Sequence, residues 1–270
     1  MGALCSLGEP DAALSLVADP DPDVRAWLCS SLGAYRQQTG APTLQRLRND
    51  PNAEVAHAAE TALRRLGRLA RVEPGKAVHG DFDWARLLSK ISEVRLADPE
   101  VAVEVPNATV QAGWLGEPGA SEQQIEAAEV RLGIRFPPSY RDFLNEANGF
   151  HKLGHFIYRL FRVEEVDWFR NLNPDWIEAY QFGDDCSREE HLSDPSNVVC
   201  FRRSYLGSCL QVSAEGDSAV VLLNPEVITD DGEGETWFFA NWAPGAERFP
   251  TFLKYMEIEL ERTRKLAKGE

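Results

Sequence analysis

The sequence predicts two domains of different class: an all-α solenoid over residues 1–72 and, beyond a linker at 73–81, an α+β domain over residues 82–270 with mixed helices and a mainly antiparallel sheet. Three observations predict it. A motif at Asp19 returns thirty-one positions downstream, and periods of about 20–50 residues mark solenoids. Capped segments with apolar residues at helical spacing run from Trp84 to Ala147. From Val198 the pattern switches to alternating or continuous apolar runs between Gly-, Ser- and Asp-rich turns, and one amphipathic helix closes the chain.

The repeat pairs Asp19 with Asp50, Pro20 with Pro51, Val24 with Val55, Leu28 with Ala59 and Leu32 with Leu63, while Leu16 meets Leu47 upstream. Each unit reads as a short helix ending in Asp-Pro, a turn, and a second helix whose acidic opening suits the positive end of the helix dipole. Val24, Leu28 and Leu32 share one helical stripe. Asp19-Pro20-Asp21-Pro22-Asp23-Val24-Arg25 resembles the short form of the HEAT-repeat family, with its Asp-Pro-x-x-x-Val-Arg signature; the second copy departs from it at Ala56. Stacked repeats need about three units for stability and two are legible, so the open end is expected to be covered by the rest of the chain or by residues beyond its start. The resemblance implies a protein-docking surface or a rigid spacer. Residues 1–72 hold eight acidic and eight basic side chains, which leaves no electropositive stripe for nucleic acid.

Pro74, Gly75 and Gly80 mark the linker. A helix follows from Phe82, with Trp84, Leu87, Leu88 and Ile91 at core spacing, and residues 98–107 mix prolines with alternating valines, as an edge strand or an extended tether would. Ser121 and Gln124 compose a capping box ahead of the stripe Ile125, Ala128 and Leu132, and Gly133 stops that helix. Pro137 and Pro138 start the next one. Tyr140, Phe143, Leu144 and Ala147 supply its buried face, and Asn148-Gly149 ends it in a left-handed turn. Strands are expected at 198–202, 208–212, 219–223 and 236–240. The final helix opens after Phe249 with Pro250 in its first turn and sets Phe252, Met256 and Leu260 against the sheet; Arg262-Thr263-Arg264-Lys265 complement its dipole.

Order and wording together resemble the SUKH superfamily, which includes a fungal cell-wall-synthesis regulator and many bacterial immunity proteins. The segments that carry the resemblance are Trp114-Leu115-Gly116, Ile125 to Glu129 with Leu132-Gly133, Phe136-Pro137-Pro138-Ser139-Tyr140, Phe143-Leu144 and Asn148-Gly149. The second half adds Leu222-Leu223-Asn224-Pro225, Gly232-Glu233, Trp237-Phe238-Phe239-Ala240-Asn241-Trp242, Gly245 and Arg248-Phe249. The resemblance covers roughly residues 80–265. It implies a binding module that neutralises a toxin, often a nuclease, or serves as a regulatory hub, without a shared catalytic constellation.

Composition narrows the partners. The formal net charge of -15 repels nucleic-acid phosphates. The longest uninterrupted apolar run is Ala219 to Leu223, against the roughly 20 residues a membrane span needs. Five cysteines at unrelated spacings fit neither a disulfide framework nor a zinc site, so a reducing cytoplasm is the expected setting. Met1-Gly2-Ala3-Leu4-Cys5-Ser6 fits a myristoylation pattern but reads better as the remnant of a repeat.

Residues 164–235 contain 17 acidic and 4 basic side chains, a formal -13, so nearly all of the excess sits there. The expected partner-binding residues are Asp184, Asp185, Glu189, Glu190, Asp230, Asp231 and Glu233 in acidic loops, together with Trp242. Loops meet partners, and an acidic face suits a basic protein such as a nuclease with a phosphate-binding cleft. The bland reading is a solvated surface that keeps the protein soluble. Asp230 to Glu235 lacks the alternating ligands and distal glutamate of a calcium loop, so no metal is expected. Trp237 and Phe239 share a strand face and read as core. Cys200 and Cys209 fall in expected strands and read as buried, and His151, His155 and His191 form no metal motif. The expected function is therefore a non-catalytic protein-binding module without a cofactor, first an immunity protein against a bacterial toxin. The alternative is a regulatory scaffold with several protein partners and no toxin. Oligomeric state is not set by the sequence.

Overall fold

The computed structural model describes residues 15–34, 40–71, 82–180 and 185–269. The expected linker at 73–81 lies outside them. The chain divides into two compact units.

In the amino-terminal unit a 3-10 turn at Ser15–Ala18 precedes α1 (Pro22–Ala34), α2 (Ala41–Leu47) and α3 (Ala53–Arg71). Leu28, Cys29 and Leu32 of α1, Leu44 and Leu47 of α2, and Val55, Ala59 and Ala62 of α3 make one buried cluster. Each Asp-Pro turn is locked the same way, with Asp19 Oδ1 accepting from Asp21 N and Asp50 Oδ1 from Asn52 N, both at 2.9 Å. Arg25 ties the copies together. Its Nε and Nη2 donate to the Asp50 carboxylate at 2.8 and 2.9 Å, and Nη1 donates to the Asp19 carbonyl at 2.6 Å. The arginine of one repeat thus holds the aspartate of the next, and Ala56 offers no such donor.

The carboxy-terminal unit mixes helices with antiparallel sheets. It begins with α4 (Trp84–Leu96), capped by Asp83, whose Oδ1 accepts from Arg86 N at 2.8 Å. The stretch expected to be an edge strand or tether is instead two short helices, α5 (Pro99–Glu104) and α6 (Asn107–Ala112). Asp98 Oδ1 caps Glu100 N at 3.0 Å and Pro99 takes the first helical position, so local capping overrides the β preference of the valines. Val101 is buried while Val103 faces solvent. Helices α7 (Glu122–Leu132) and α8 (Pro138–Glu146) follow the sequence reading, including the Ser121–Gln124 capping box and left-handed Gly133 and Gly149 at φ +65° and +104°.

Strands β1 (Phe150–His151) and β2 (Arg159–Leu160) pair with each other. Beyond them come β3 (Asp167–Trp168), α9 (Phe169–Leu172), α10 (Pro174–Ala179), α11 (Arg188–Ser193) and a 3-10 segment at Arg203–Ser208. Strands β4 (Leu210–Gln211), β5 (Ala219–Ile228), β6 (Gly234–Ala240) and β7 (Ala246–Phe249) lead into α12 (Phe252–Ala267). Thr251 caps α12, with Pro250 just outside its first turn. The five-stranded sheet has the order β3-β4-β5-β6-β7, antiparallel throughout.

Both faces of that sheet are covered. Val220 and Leu222 of β5 and Trp237 and Phe239 of β6 face Phe169, Phe201, Tyr205 and Leu206, with Trp176 and Tyr180 against them. On the other side α12 packs on β6, β7, α4 and α8, through an aromatic group of Trp84, Tyr140, Phe143 and Phe252. A strand buried on two faces reads as a continuous apolar run, as Ala219 to Leu223 does.

Two expectations fail here. Residues 198–202 are not a strand, because their backbone donors are satisfied locally or by side chains rather than by a ladder: Phe201 N donates to the Val199 carbonyl at 3.2 Å, Cys200 N to Asn197 Oδ1 at 3.3 Å and Arg202 N to His191 Nδ1 at 3.1 Å. Cysteine spacing also misled. Cys186 and Cys200 are disulfide-bonded, with Cα atoms 5.7 Å apart, and only the fold brings their two loops together. Cys209 is buried and free, as expected.

Candidate partner-binding surface

The acidic window divides into surface and core. Asp184 lies outside the described residues. Asp185 is exposed but anchored, its Oδ1 accepting from Arg203 N at 2.7 Å and Oδ2 from Ser204 Oγ at 2.6 Å. Glu189 and Glu190 are exposed on the first turn of α11, where negative charge is favoured. Glu190 also closes a capping box with Ser187, and the bonds from the Ser187 hydroxyl and backbone hold its carboxyl below the usual range. Asp230 and Asp231 are exposed in a tight turn closed by Gly232 N donating to Thr229 O at 3.0 Å.

Glu233 belongs to the core. It is 1% exposed, and its two oxygens accept from Ser139 N and Ser139 Oγ, each at 2.7 Å. Ser139 lies in the first turn of α8, so this carboxylate caps a helix from 94 residues away in sequence. Glu235 is buried as well. Its Oε2 accepts from His191 Nε2 at 3.0 Å, Asn224 Nδ2 at 2.9 Å and Trp237 Nε1 at 2.7 Å. Burial alone would raise its pKa, but these donors outweigh it and hold the carboxyl below its ordinary value. His191 is fully buried, and its Nδ1 accepts from Arg202 N, which assigns the ring proton to Nε2. Arg248 completes the network, reaching Glu235 Oε1 at 3.4 Å and the Asp194 carbonyl at 2.7 Å. The glutamates at 226, 233 and 235 are thus withdrawn from the surface charge, which no count of acidic residues reveals.

Trp242 sits just after β6, 52% exposed, with Nε1 donating to the Asp217 carbonyl at 2.8 Å. Its ring lies 5.1 Å from Phe156 and 6.2 Å from Phe238. These rings line a groove of 470 Å³ together with Val198, Pro244 and Leu266, and its charged lining is Glu247, Glu259, Arg262 and Lys265. Phe156 and Leu266 escaped the sequence reading because residues from separate loops and a helix end share no period.

The sequence model of the SMI1 / KNR4 family (SUKH-1) matches residues 119–257, half of the chain. The chain belongs to the SUKH-1 family. HEAT repeats match residues 3–73, in agreement with the Asp-Pro repeat and its Arg25–Asp50 link. No curated protein and no solved structure matches the chain.

The SUKH-1 match runs from the segment before α7 into the second turn of α12 and contains the acidic residues and Trp242. Arg262, Lys265 and Leu266, which line the groove, lie beyond it. Among the described residues, no group of three or more His, Cys, Asp or Glu side chains is placed to hold a metal ion, and no helix is long and apolar enough to cross a membrane.

Proposed function

We propose that this SUKH-1 protein is a non-catalytic binding module that captures and neutralises a basic toxin domain, a nuclease being the type that fits. The observation that carries this reading is the set of carboxylates at the surface: Asp185, Glu189, Glu190, Asp230 and Asp231 stay exposed after Glu233 and Glu235 are buried. A negative face accelerates encounter with a phosphate-binding cleft and rejects acidic partners. The disulfide removes the argument from cysteine count for a reducing cytoplasm, since such bonds persist in oxidising settings.

The test begins with affinity capture from the native cell and mass spectrometry of what is retained. Association with the captured protein is then measured against salt for Glu189→Lys combined with Asp230→Lys, two exposed positions. The expected result is an association rate about tenfold lower at low salt, with a flatter salt dependence. An unchanged rate and slope would remove the electrostatic claim. Capture of several unrelated proteins with no toxin among them would make the protein a regulatory scaffold instead.

A further inference from the structure

We propose that the groove between the segment after β6 and the last turns of α12 binds a short peptide segment of a second protein partner, one with an aromatic or large aliphatic side chain beside carboxylates. This site does not rest on the reading above, which concerns the acidic surface and a basic partner.

Apolar area and charge both define the occupant. Phe156, Trp242 and Leu266 are 42%, 52% and 51% exposed and lie around one groove, where they would otherwise be scattered singly. Trp242 donates to the Asp217 carbonyl and packs beside Phe156 and Phe238 while about half of it stays exposed, the arrangement of an interface anchor. The volume of 470 Å³ falls within the roughly 300–1,000 Å³ of ligand pockets.

The carboxylates in the lining are already committed. Glu247 accepts from Arg262 Nη2, and Glu259 is 7% exposed, 3.7 Å from Arg262 Nη1. Burial, opposed by Arg262, holds the Glu259 carboxyl above its ordinary pKa. Lys265 is exposed at the mouth, and from Glu259 to Lys268 four basic side chains stand against two acidic ones. The dipole at the helix end contributes about half a negative charge and does not cancel them. In a chain of net charge -15 this end of α12 is locally cationic, so it attracts carboxylates and repels the basic partner expected at the acidic loops. The two surfaces sort partners by charge.

The experiment pans a random dodecapeptide phage library on the full chain, after subtraction on Trp242→Ala. Enriched sequences are expected to pair an aromatic or leucine residue with Asp or Glu. A synthetic peptide of the enriched sequence should bind about tenfold more weakly to Trp242→Ala and about threefold more weakly to Lys265→Glu. Both positions are exposed, and far-UV circular dichroism checks that each variant is folded. Glu189→Lys with Asp230→Lys should leave peptide binding unchanged, which separates this site from the acidic surface. No enrichment over Trp242→Ala, a net-basic consensus, or a concentration-dependent dimer that Trp242→Ala abolishes would overturn the proposal, the last by showing a second copy as the occupant.

Discussion

Glu233→Ala offers the clearest test of how the acidic window is divided. The buried carboxylate accepts two bonds from Ser139 and faces the amino end of α8. Bonds to an ionised group contribute about 1.5–3 kcal/mol each, and a charge at a helix start adds about 0.3–1 kcal/mol. Because these contributions share one residue and are not additive, the expected loss is about 3–5 kcal/mol. For a unit of this size that corresponds to a melting temperature lower by about 6–20 °C. Urea unfolding followed by circular dichroism reads it, with an unchanged denaturant slope showing that the folded state stays compact. Ser139→Ala, which keeps the backbone bond to Glu233 but removes the hydroxyl's bond to it and the longer one it accepts from Leu253 N, should cost about 1–2 kcal/mol. A loss under about 1 kcal/mol for Glu233→Ala, or weaker partner binding at unchanged stability, would refute the core assignment and return Glu233 to the surface.

Further outcomes follow from the same network and from its neighbours. Glu235 has a lowered folded pKa, so its contribution is present above the unfolded value of about 4.3 and is lost as pH falls through the folded value. Stability against pH should therefore be flatter below pH 4.3 in Glu235→Gln, and an unchanged acid limb would contradict this. Glu259 has the opposite sign: its raised folded pKa means that ionisation costs stability as pH rises through that value. Glu259→Gln should melt higher than the parent at pH 8, with the gap closing toward pH 4; a constant gap would refute it. Asp50→Asn and Arg25→Lys should each lower the melting temperature of the amino-terminal unit, since neither keeps the bidentate pair, as differential scanning calorimetry of the full chain can read. Gly245→Ala would set a Cβ 1.8 Å from the Val198 carbonyl oxygen, forcing backbone apart and costing about 1–3 kcal/mol in urea unfolding; a neutral variant would contradict the close approach.

Structure that follows from residues close in sequence is legible in the sequence itself. The capping box of Ser121 and Gln124, the proline start of α8 and the left-handed Gly133 and Gly149 are all legible in the sequence, because each is settled within one turn of chain. The pairing of Asp19 with Asp50 marks the helices of the solenoid, whose apolar residues meet in one cluster. Residues 98–107 show the limit of pattern: three alternating valines argued for a strand, and a single aspartate cap followed by proline decided for helix. Residues 198–202 show another, since a strand needs a neighbour and here side chains and a local carbonyl take the backbone donors instead.

Composition and local pattern by themselves determined the two classes of domain, the limits of α7 and α8, the apolar faces of β5 and β6 and the net negative charge. Only the tertiary structure decided which carboxylates are surface and which are core, that Cys186 meets Cys200, and that Phe156, Trp242 and Leu266 frame one groove. The reason is one of range. Helix caps and periodicity act over a few residues, whereas the burial of Glu233 and the lowered pKa of Glu235 depend on partners 94 and 44 positions away, which the chain supplies only once it is packed.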